Sequence, residues 1–338
     1  MTDSLHKKTR FERIGVVGAG AIGGWLAARL ALAGRQVSVL ARGATRDAVE
    51  RDGLRLKEAD GAELSVPVRV DSDGARLGEQ DLVIVAVKAP QMEQAARALV
   101  PLLAADTAVL TAMNGVPWWF FQGFGGALSG TGLKSVDPGG AIASIIAPER
   151  VIGGVVHASC ATEGPGRIRH HFGQGLILGE PSGGVSPRAV ALRELMAAAG
   201  LDSTASEQIQ RDVWYKLWGN MTVNPVSALT RATADRIMDD DALRGFISQV
   251  MLEARDIGAR IGLPIEQTPE DRHAVTRRLG AFKTSMLQDV EAGRPIEREA
   301  LVGAVLEIGQ RLGMPTPFTS ALYGLTRVMD EARTLRAA

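Results

Sequence analysis

The stretch from residue 14 to residue 42, IGVVGAGAIGGWLAARLALAGRQVSVLAR, decides the fold of this chain. Its apolar start predicts a short β-strand, and the mostly apolar run of residues 24–33 predicts a helix, which Gly34 ends. Residues 36–41 predict a second strand. A strand, a glycine-rich turn, a helix and another strand are typical of a βαβ unit, so the chain is predicted to begin with an α/β domain.

The turn of this unit contains three glycines, Gly18, Gly20 and Gly23, in the spacing GxGxxG. In such a motif the first glycine permits a tight turn, the second lets the backbone approach a pyrophosphate, and the third lets helix and strand pack closely. The helix N-terminus adds free N–H groups and a partial positive charge. We therefore expect a dinucleotide to bind along the backbone of Gly18, Ala19, Gly20, Ala21, Ile22 and Gly23.

A secretory signal peptide is the competing interpretation, because Lys7, Lys8, Arg10 and Arg13 precede an apolar run that ends in Ala-Leu-Ala. Three glycines and Arg29 within that run argue against it. No later stretch is apolar for long enough to span a bilayer, so we expect a cytoplasmic protein.

The end of the second predicted strand indicates which cofactor is preferred. NAD enzymes usually place an acidic residue there to bind the ribose 2′-hydroxyl. This chain has Arg42 instead, with Arg46 a turn later and no acid before Asp47. A guanidinium can bind a 2′-phosphate with two hydrogen bonds, which favours NADP(H). A solvated surface arginine remains the alternative.

Composition narrows the class of protein. The chain has 338 residues, enough for two domains, and 46% hydrophobic with 22% charged residues is ordinary for a globular protein. Basic and acidic residues number 38 each, so charge favours a small-molecule partner over nucleic acid or an anionic membrane. Cys160 is the single cysteine, which excludes an internal disulfide and a cysteine-based zinc site; no metal site is predicted.

Two polar residues each follow a predicted strand of the α/β domain. DLVIVAVK, residues 81–88, reads as a strand buried on both faces of a parallel sheet, and it ends in Lys88. The strand predicted at 107–113 is followed by Asn114. Ligands bind beyond the carboxyl ends of such strands, so both residues are predicted to face the cofactor.

The same domain is predicted to hold helices at 42–52, 90–103 and 187–199, a hairpin with a third strand at 54–70, and short antiparallel strands at 151–158, 167–172 and 176–178.

Two further segments of this region are an aromatic stretch and a pair of histidines. Residues 116–148 are rich in glycine and aromatic residues and fit either a lid or a packing insert. His170 and His171 are adjacent, so on a strand they point to opposite faces and cannot share a metal; both are interpreted as structural.

Beyond residue 206 the pattern changes to long helices without strands. Loops marked by glycine and proline separate most of them. We therefore predict two domains, an α/β domain at 1–206 with an antiparallel extension and an all-α domain at 207–338. The predicted helices are 207–229, 239–261, 269–291, 298–312 and 317–335.

The first of these helices contains WYKLWGNMTVNPVSALTRA, in which Lys216, Asn220 and Asn224 are spaced by four. This spacing places them on one face of a helix whose other residues are mostly apolar. A lysine in a partly desolvated cleft has a lowered pKa and can exchange a proton near neutral pH. The amides can hold substrate oxygens without adding charge. A snorkelling lysine beside two structural amides is the alternative.

A second polar cluster lies in TSMLQDVEAGRPIEREAL. Ser285 is predicted near the end of one helix and Glu297 at the start of the next. A carboxylate at a helix N-terminus also stabilises the helix dipole, so these residues alone leave the role of Glu297 open.

Five motifs occur in order along the chain: the glycine motif, Val87-Lys88-Ala89, Asn114-Gly115-Val116, the Lys-x3-Asn-x3-Asn-Pro helix and the 285–297 block. Together they resemble the ketopantoate reductase family over nearly the whole chain. The resemblance implies a Rossmann-like α/β domain and an all-α domain like that of 6-phosphogluconate dehydrogenase. It implies NADPH-dependent reduction of 2-dehydropantoate (ketopantoate) to pantoate, in pantothenate and coenzyme A synthesis, at a cleft between the domains. A homodimer is an expectation of the same kind.

The resemblance also implies roles for single residues. Lys216 would protonate the carbonyl oxygen as hydride arrives, and Glu297 would orient cofactor or substrate. Substrate would contact Asn114, Asn220, Asn224 and Ser285. NADPH would contact the glycine turn, Arg42, Lys88, Asn114 and Glu297.

Two departures from the family pattern concern the substrate. Some members have another substrate-binding asparagine where this chain has Ala234, and the segment 118–147 is longer and more aromatic than in the shortest members. A reductase of a different 2-oxo acid is therefore the first alternative. A non-catalytic NADP(H) sensor is the second, although binding a cofactor would not require Lys216 or Glu297.

Overall fold

The computed structural model describes residues 9–337, so Lys7 and Lys8 lie outside it. The chain divides into two compact units. The first (unit 1) contains the residues up to 113 and residues 141–212, and the second (unit 2) contains residues 114–140 and 213 onward. The predicted boundary at residue 206 differs from this division in two ways: the first unit continues to residue 212, and the segment 114–140 belongs to the second unit.

Within the described residues, ten strands of unit 1 form a single sheet in the order β4-β3-β9-β8-β7-β6-β1-β2-β5, with β10 also paired to β9. The strands are β1 (Arg13–Val17), β2 (Gln36–Leu40), β3 (Leu54–Lys57), β4 (Glu63–Val66), β5 (Arg69–Asp71), β6 (Gln80–Val85), β7 (Leu103–Ala112), β8 (Val151–Gly164), β9 (Arg167–Gly179) and β10 (Asp202–Ser206).

The strands from β5 to β8 in this order are parallel to their neighbours, and β1 lies between β2 and β6. Strand β6 is almost fully buried, as its continuous apolar run predicts. The hairpin of β3 and β4 and the third strand after it are also confirmed. The predicted α/β architecture is therefore confirmed.

The antiparallel extension is simpler than predicted. Two long strands, β8 and β9, replace three short ones, and their ladder continues past several glycines with shifts of register. Gly173, with a φ of 77°, accommodates one irregularity inside β9, so it does not mark a turn between strands. Strand β10 was missed because its sequence, DSTAS, lacks the apolar residues that usually identify a strand.

The helices of unit 1 are α1 (Ala21–Leu32), α2 (Gly43–Asp52), α3 (Gly74–Leu77), α4 (Met92–Leu99), α5 (Ala141–Ile145) and α6 (Pro187–Ala198). Helix α1 begins at Ala21, three residues before the predicted start, because Gly20 already serves as its N-cap. Three-residue 3₁₀ turns lie at Ala89–Gln91, Val100–Leu102 and Pro148–Arg150.

Helix α1 is buried on several sides, with Trp25 and Leu26 fully inaccessible. A Cβ on Gly24 would lie 2.7 Å from the side chain of Ile168 in β9, so the extension packs directly on the helix. Trp25 stacks on His170 at 5.2 Å between ring centroids, and His170 Nδ1 lies 3.1 Å from Glu58 Oε2. His171 is exposed, so the two histidines are separated as predicted.

Helix α7 (Ile209–Thr230) starts in unit 1 and continues into unit 2. Unit 2 then contains α8 (Ala234–Asp239), α9 (Asp241–Arg260), α10 (Pro269–Arg277), α11 (Ser285–Glu291), a π-helical turn (Glu299–Gly303), α12 (Ala304–Arg311) and α13 (Pro317–Ala337). Short 3₁₀ turns lie at Gly126–Leu128 and Pro138–Gly140. The described part of unit 2 contains no strand, in agreement with the all-α prediction.

The predicted helix at 269–291 is wrong, because the chain forms two helices there. Helix α10 ends at Arg277, Gly280 adopts a φ of 62°, and the Thr284 side chain caps α11 by accepting from the N–H of Leu287 at 3.2 Å. Ser285 therefore begins a helix and does not lie near the end of one.

The aromatic segment of unit 2 is a packing element. Trp118, Trp119, Phe120 and Phe121 are each less than 5% exposed. Phe120 packs against Trp214 of α7 with 5.9 Å between ring centroids. Of the two interpretations left open for this segment, the structure favours the insert over the lid. No helix within residues 9–337 combines the length and the apolar character needed to cross a membrane.

Candidate active site

The glycine turn of unit 1 has the geometry that the motif predicts. Gly18 has a φ of 98°, and a Cβ on it would lie 2.7 Å from Val87. A Cβ on Gly23 would overlap the carbonyl oxygen of Gly18, so helix and turn touch through backbone. A Cβ on Gly20 would meet nothing within 4 Å, and no side chain caps α1 at this residue. The first N–H groups of α1 are therefore open to a ligand.

Arg42 and Lys88 follow the strands on either side of the one that ends in this turn. Arg42 comes after β2 as the N-cap of α2, and Lys88 comes shortly after β6. Because β1 pairs in parallel with both β2 and β6, the three carboxyl ends share one edge of the sheet. Arg42 is exposed and forms no ion pair with any described residue, whereas Arg46 binds Asp47 and Glu50. The guanidinium of Arg42 is therefore not neutralised by a carboxylate of the described residues.

In unit 2, α7 brings Lys216, Asn220 and Asn224 onto one helix, as predicted. Lys216 Nζ donates to Asn114 Oδ1 at 2.8 Å. Asn220 is half-buried, and Asn224 is 8% exposed. Neither side-chain amide forms a hydrogen bond with a residue inside the described range. Buried amides normally have partners, so this face of α7 is suited to a polar ligand.

The pKa of Lys216 is also lowered. Burial lowers the pKa of its ammonium group from the usual 10.5 to about 8, and the negative charge of Glu297 opposes that fall. Glu297 is 6% exposed and precedes the π-helical turn. A half-buried lysine that titrates near neutral pH, held by an amide and next to a carboxylate, can donate or accept a proton in a reaction.

A backbone contact fixes the segment that carries Asn114. The N–H of Val116 donates to the carbonyl of Ala300 at 2.8 Å, inside the π-helical turn. Gly115, with a φ of 81°, lies so close that a Cβ would be 2.6 Å from that same carbonyl oxygen. Single π-helical turns are frequent at functional sites. Sequence reasoning missed this contact, because a π-helical turn has no signature in the sequence.

Two further residues, Ser285 and Ala234, concern the choice of substrate. Ser285 is exposed at the start of α11, and its hydroxyl forms no hydrogen bond with the described residues. Ala234 is 1% exposed, and its N–H donates to the carbonyl of Phe282 at 2.9 Å. The methyl group of Ala234 offers no polar atom to a substrate.

These features are those of a dinucleotide-dependent oxidoreductase: the α/β unit has an open glycine-rich turn, and the helical unit carries a lysine of lowered pKa. Residues 14–118 match the family described as ketopantoate reductase PanE/ApbA, and residues 208–330 match its C-terminal domain. The chain belongs to the ketopantoate reductase family.

Individual relatives agree with this assignment. The 2-dehydropantoate 2-reductase of Mesorhizobium japonicum is 47% identical over 93% of this chain and 97% of its own length. The solved structure of a candidate ketopantoate reductase from Ralstonia solanacearum MolK2 is 56% identical, with a TM-score of 0.91 over 96% of this chain and 99% of that one. The 2-dehydropantoate 2-reductase from Geobacter metallireducens is 28% identical, with a TM-score of 0.82 over 93% of this chain and 99% of its own.

The Gly115 contact leads to a stability prediction. Gly115→Ala should reduce the free energy of unfolding by at least about 1 kcal/mol more than Gly130→Ala, since overpacking typically costs about 1–3 kcal/mol. Gly130 is the matched control because its φ of 75° is similar, but a Cβ there meets nothing within 4 Å. Urea unfolding of both variants measures the difference. Equal losses would mean that only the backbone angle matters at Gly115.

Proposed function

We propose that this protein reduces 2-dehydropantoate to pantoate with NADPH, and that Lys216 supplies the proton. One observation carries the proposal: a lysine with a pKa of about 8 is hydrogen-bonded to Asn114 and shares its helix face with two unpaired amides. The family of the chain supports the same reaction. The proposal includes a cytoplasmic location, one small-molecule 2-oxo acid partner and assembly as a homodimer.

Asn220 and Asn224 are proposed to hold the substrate. Each amide offers two N–H donors and one oxygen acceptor, which suits a carboxylate on one side and a hydroxyl on the other. Neither amide adds charge, so both can hold substrate oxygens without changing the net charge beside the Lys216 ammonium. Ser285 and Asn114 are proposed as further contacts to the substrate, with Asn114 also contacting the cofactor.

Lys216 is proposed as the general acid. Reduction of a 2-oxo acid adds a hydride to the carbonyl carbon and a proton to the carbonyl oxygen. Near neutral pH the Lys216 ammonium is mostly protonated, and with a pKa of about 8 it gives up its proton more readily than an ordinary lysine. The hydrogen bond to Asn114 fixes Nζ, and the charge of Glu297 favours the protonated form. Glu297 is proposed to act on catalysis through this charge.

The cofactor is proposed to bind unit 1. NADPH, when bound, supplies the hydride. The open N–H groups at the start of α1 suit its pyrophosphate, and Arg42, which lacks an ion-pair partner among the described residues, suits its 2′-phosphate. Lys88, beyond β6 on the same edge, is proposed to contact the cofactor as well.

Reduction of a different 2-oxo acid is the second candidate, and Ala234 is the observation that favours it. A screen of NADPH oxidation across 2-oxo acids of increasing size, with 2-dehydropantoate among them, separates the two. We expect 2-dehydropantoate to give the highest kcat/KM. A higher kcat/KM for another acid would assign that acid as the substrate. Tight NADPH binding without turnover of any acid would favour a sensor.

Replacement of Lys216 tests its role as proton donor. Lys216→Ala should lower kcat by roughly 10²- to 10⁴-fold, the usual contribution of a general acid. In the wild-type protein the folded-state pKa of about 8 means that the proton is lost as pH rises through 8, so kcat/KM should fall above that pH. The variant should lack this descending limb.

Lys283→Ala is the matched control, because Lys283 is an exposed lysine of the same unit that pairs with Glu291. Its kcat and pH profile should equal those of the wild-type protein. Turnover by Lys216→Ala close to the wild-type rate would remove Lys216 from the reaction.

Replacement of Arg42 tests cofactor choice. Arg42→Ala should weaken NADPH binding by about 1.5–3 kcal/mol, the value of a hydrogen bond to a charged group, and leave NADH binding nearly unchanged. Titration of both cofactors by fluorescence measures the two constants. Arg97→Ala, which removes an exposed arginine of α4 paired with Glu93, should change neither. Equal weakening of NADPH and NADH by Arg42→Ala would contradict the 2′-phosphate assignment.

A further inference from the structure

The interior of helix α7 contains a glycine, Gly219, on which an arginine packs. Glycine is among the least favourable residues inside a helix, so this position has another reason for it. Gly219 is buried beneath Arg272 of α10. A Cβ on Gly219 would lie 2.5 Å from Nε, 2.5 Å from Nη2 and 2.9 Å from Cζ of Arg272. The missing side chain therefore makes room for a guanidinium on the surface of α7.

The same distances orient this guanidinium. Nε and Nη2 are equally close to the Cβ position and Cζ is farther away, so the edge formed by Nε and Nη2 faces Gly219. Nε is shielded from solvent. The ring of Tyr215, one turn earlier on α7, has its centroid 5.5 Å from Cζ and holds the cation from another side. The second edge, formed by Nη1 and Nη2, is turned away from Gly219. It has the fork geometry that binds a carboxylate through two parallel hydrogen bonds.

No described residue neutralises Arg272, because its side chain forms no hydrogen bond or ion pair with any of them. Two carboxylates precede it on α10, but both have other partners. Asp271 accepts from the N–H and the hydroxyl of Thr268 at 2.8 Å and 2.7 Å, and Glu270 lies 3.4 Å from His273 Nδ1. A half-buried guanidinium without a counter-ion is suited to an anion that arrives as a ligand.

The guanidinium borders the face of α7 that carries the proposed proton donor. At 100° per residue, Gly219 lies about 60° around the helix from Lys216 and about 100° from Asn220. From residue 213 to residue 224, only Tyr215, Lys216 and Asn220 are partly exposed. The arginine contacts α7 at Tyr215 and Gly219, so its free edge lies beside this accessible strip.

The chemistry of a 2-oxo acid requires such a neighbour. Its carboxylate is bonded to the carbonyl carbon, so the group that binds the carboxylate must lie next to the group that protonates the carbonyl oxygen. Residues three apart on a helix, such as Lys216 and Gly219, are surface neighbours. The amides of Asn220 and Asn224 can donate to substrate oxygens but supply no charge. We propose that Arg272 binds the carboxylate of the substrate through Nη1 and Nη2 and thereby selects 2-oxo acids over uncharged 2-oxo compounds.

The substitution Arg272→Met tests this assignment with a matched pair of substrates. The acid is 2-dehydropantoate, and the uncharged compound is its lactone, which has the same carbon skeleton. Arg272→Met should lower kcat/KM for the acid by roughly 10- to 150-fold, the value of a hydrogen bond to a charged group, chiefly through KM. It should leave kcat/KM for the lactone nearly unchanged, because the lactone has no carboxylate. A merely structural role of Arg272 would lower both values alike.

Arg278→Met is the control, because Arg278 is an exposed arginine at the C-cap of the same helix. It should match the wild-type protein with both substrates. Equal losses for acid and lactone in Arg272→Met, or no loss for the acid, would overturn the proposal and leave the proposed function intact. The inference rests on that function, so a wild-type protein that reduces no 2-oxo acid would refute both. If the wild-type protein prefers another 2-oxo acid, that acid and its methyl ester replace the pair.

Gly219→Ala tests the same contact while Arg272 stays in the chain. Alanine favours a helix, and the atoms that it would displace are the end of a flexible side chain, so urea unfolding should show no loss of stability. KM for 2-dehydropantoate should nevertheless rise by roughly tenfold or more, because the guanidinium is moved from its place. Gly245→Ala, in α9, should keep the wild-type KM, since a Cβ there meets nothing within 4 Å. A stably folded Gly219→Ala with the wild-type KM would contradict the assignment of Arg272.

Discussion

Helix α1 has no room for side chains at two consecutive positions, and this constraint holds unit 1 together. A Cβ on Gly23 would strike the carbonyl of Gly18 in the glycine-rich turn, and a Cβ on Gly24 would strike the side chain of Ile168 in the antiparallel extension. The backbone of the helix therefore touches the backbone of the turn on one side and the side chain of Ile168 in β9 on the other. Because α1 is fixed from both sides, its open N-terminal N–H groups keep a set position. The position of the glycine turn and of the start of α1 thus depends on a strand more than 140 residues further along the chain.

In unit 2 the burial of polar groups sets the properties of the site around Lys216. Removing a lysine from water destabilises its charged form, and for Lys216 this lowers the pKa to about 8. The carboxylate of Glu297 partly restores the charged form, and Asn114 gives the ammonium a hydrogen bond. Asn220 and Asn224 remain without partners among the described residues, so the face is only partly satisfied. Such a face is stable with a polar ligand bound and less stable without one, as expected of a binding site.

The sequence was informative wherever local chemistry decides the outcome. Glycine spacing predicted the turn at residues 18–23, and the period of four predicted that Lys216 and the two asparagines share a helix face. The sequence was misleading where contacts between distant segments decide the local structure. Glycines inside β8 and β9 looked like turns, although pairing across the sheet keeps both strands extended. The helix expected at 269–291 breaks at Gly280, where a capping threonine starts a new one. No local pattern foretells the π-helical turn against which Gly115 packs, because the two segments are distant in sequence.

The aromatic segment at 118–121 supports the helix that carries Lys216 through buried packing contacts. Its side chains are buried, and Phe120 packs against Trp214, two residues before Lys216 on the same helix. At 100° per residue, these two positions of α7 point in directions about 200° apart, so the aromatic cluster lies behind the face that carries the lysine. Gly115, close to the start of the segment, is held at the π-helical turn. The segment thus connects the backbone beside Asn114 with the back of the helix that carries Lys216. The donor and the acceptor of the Lys216–Asn114 hydrogen bond are therefore both supported by this one segment.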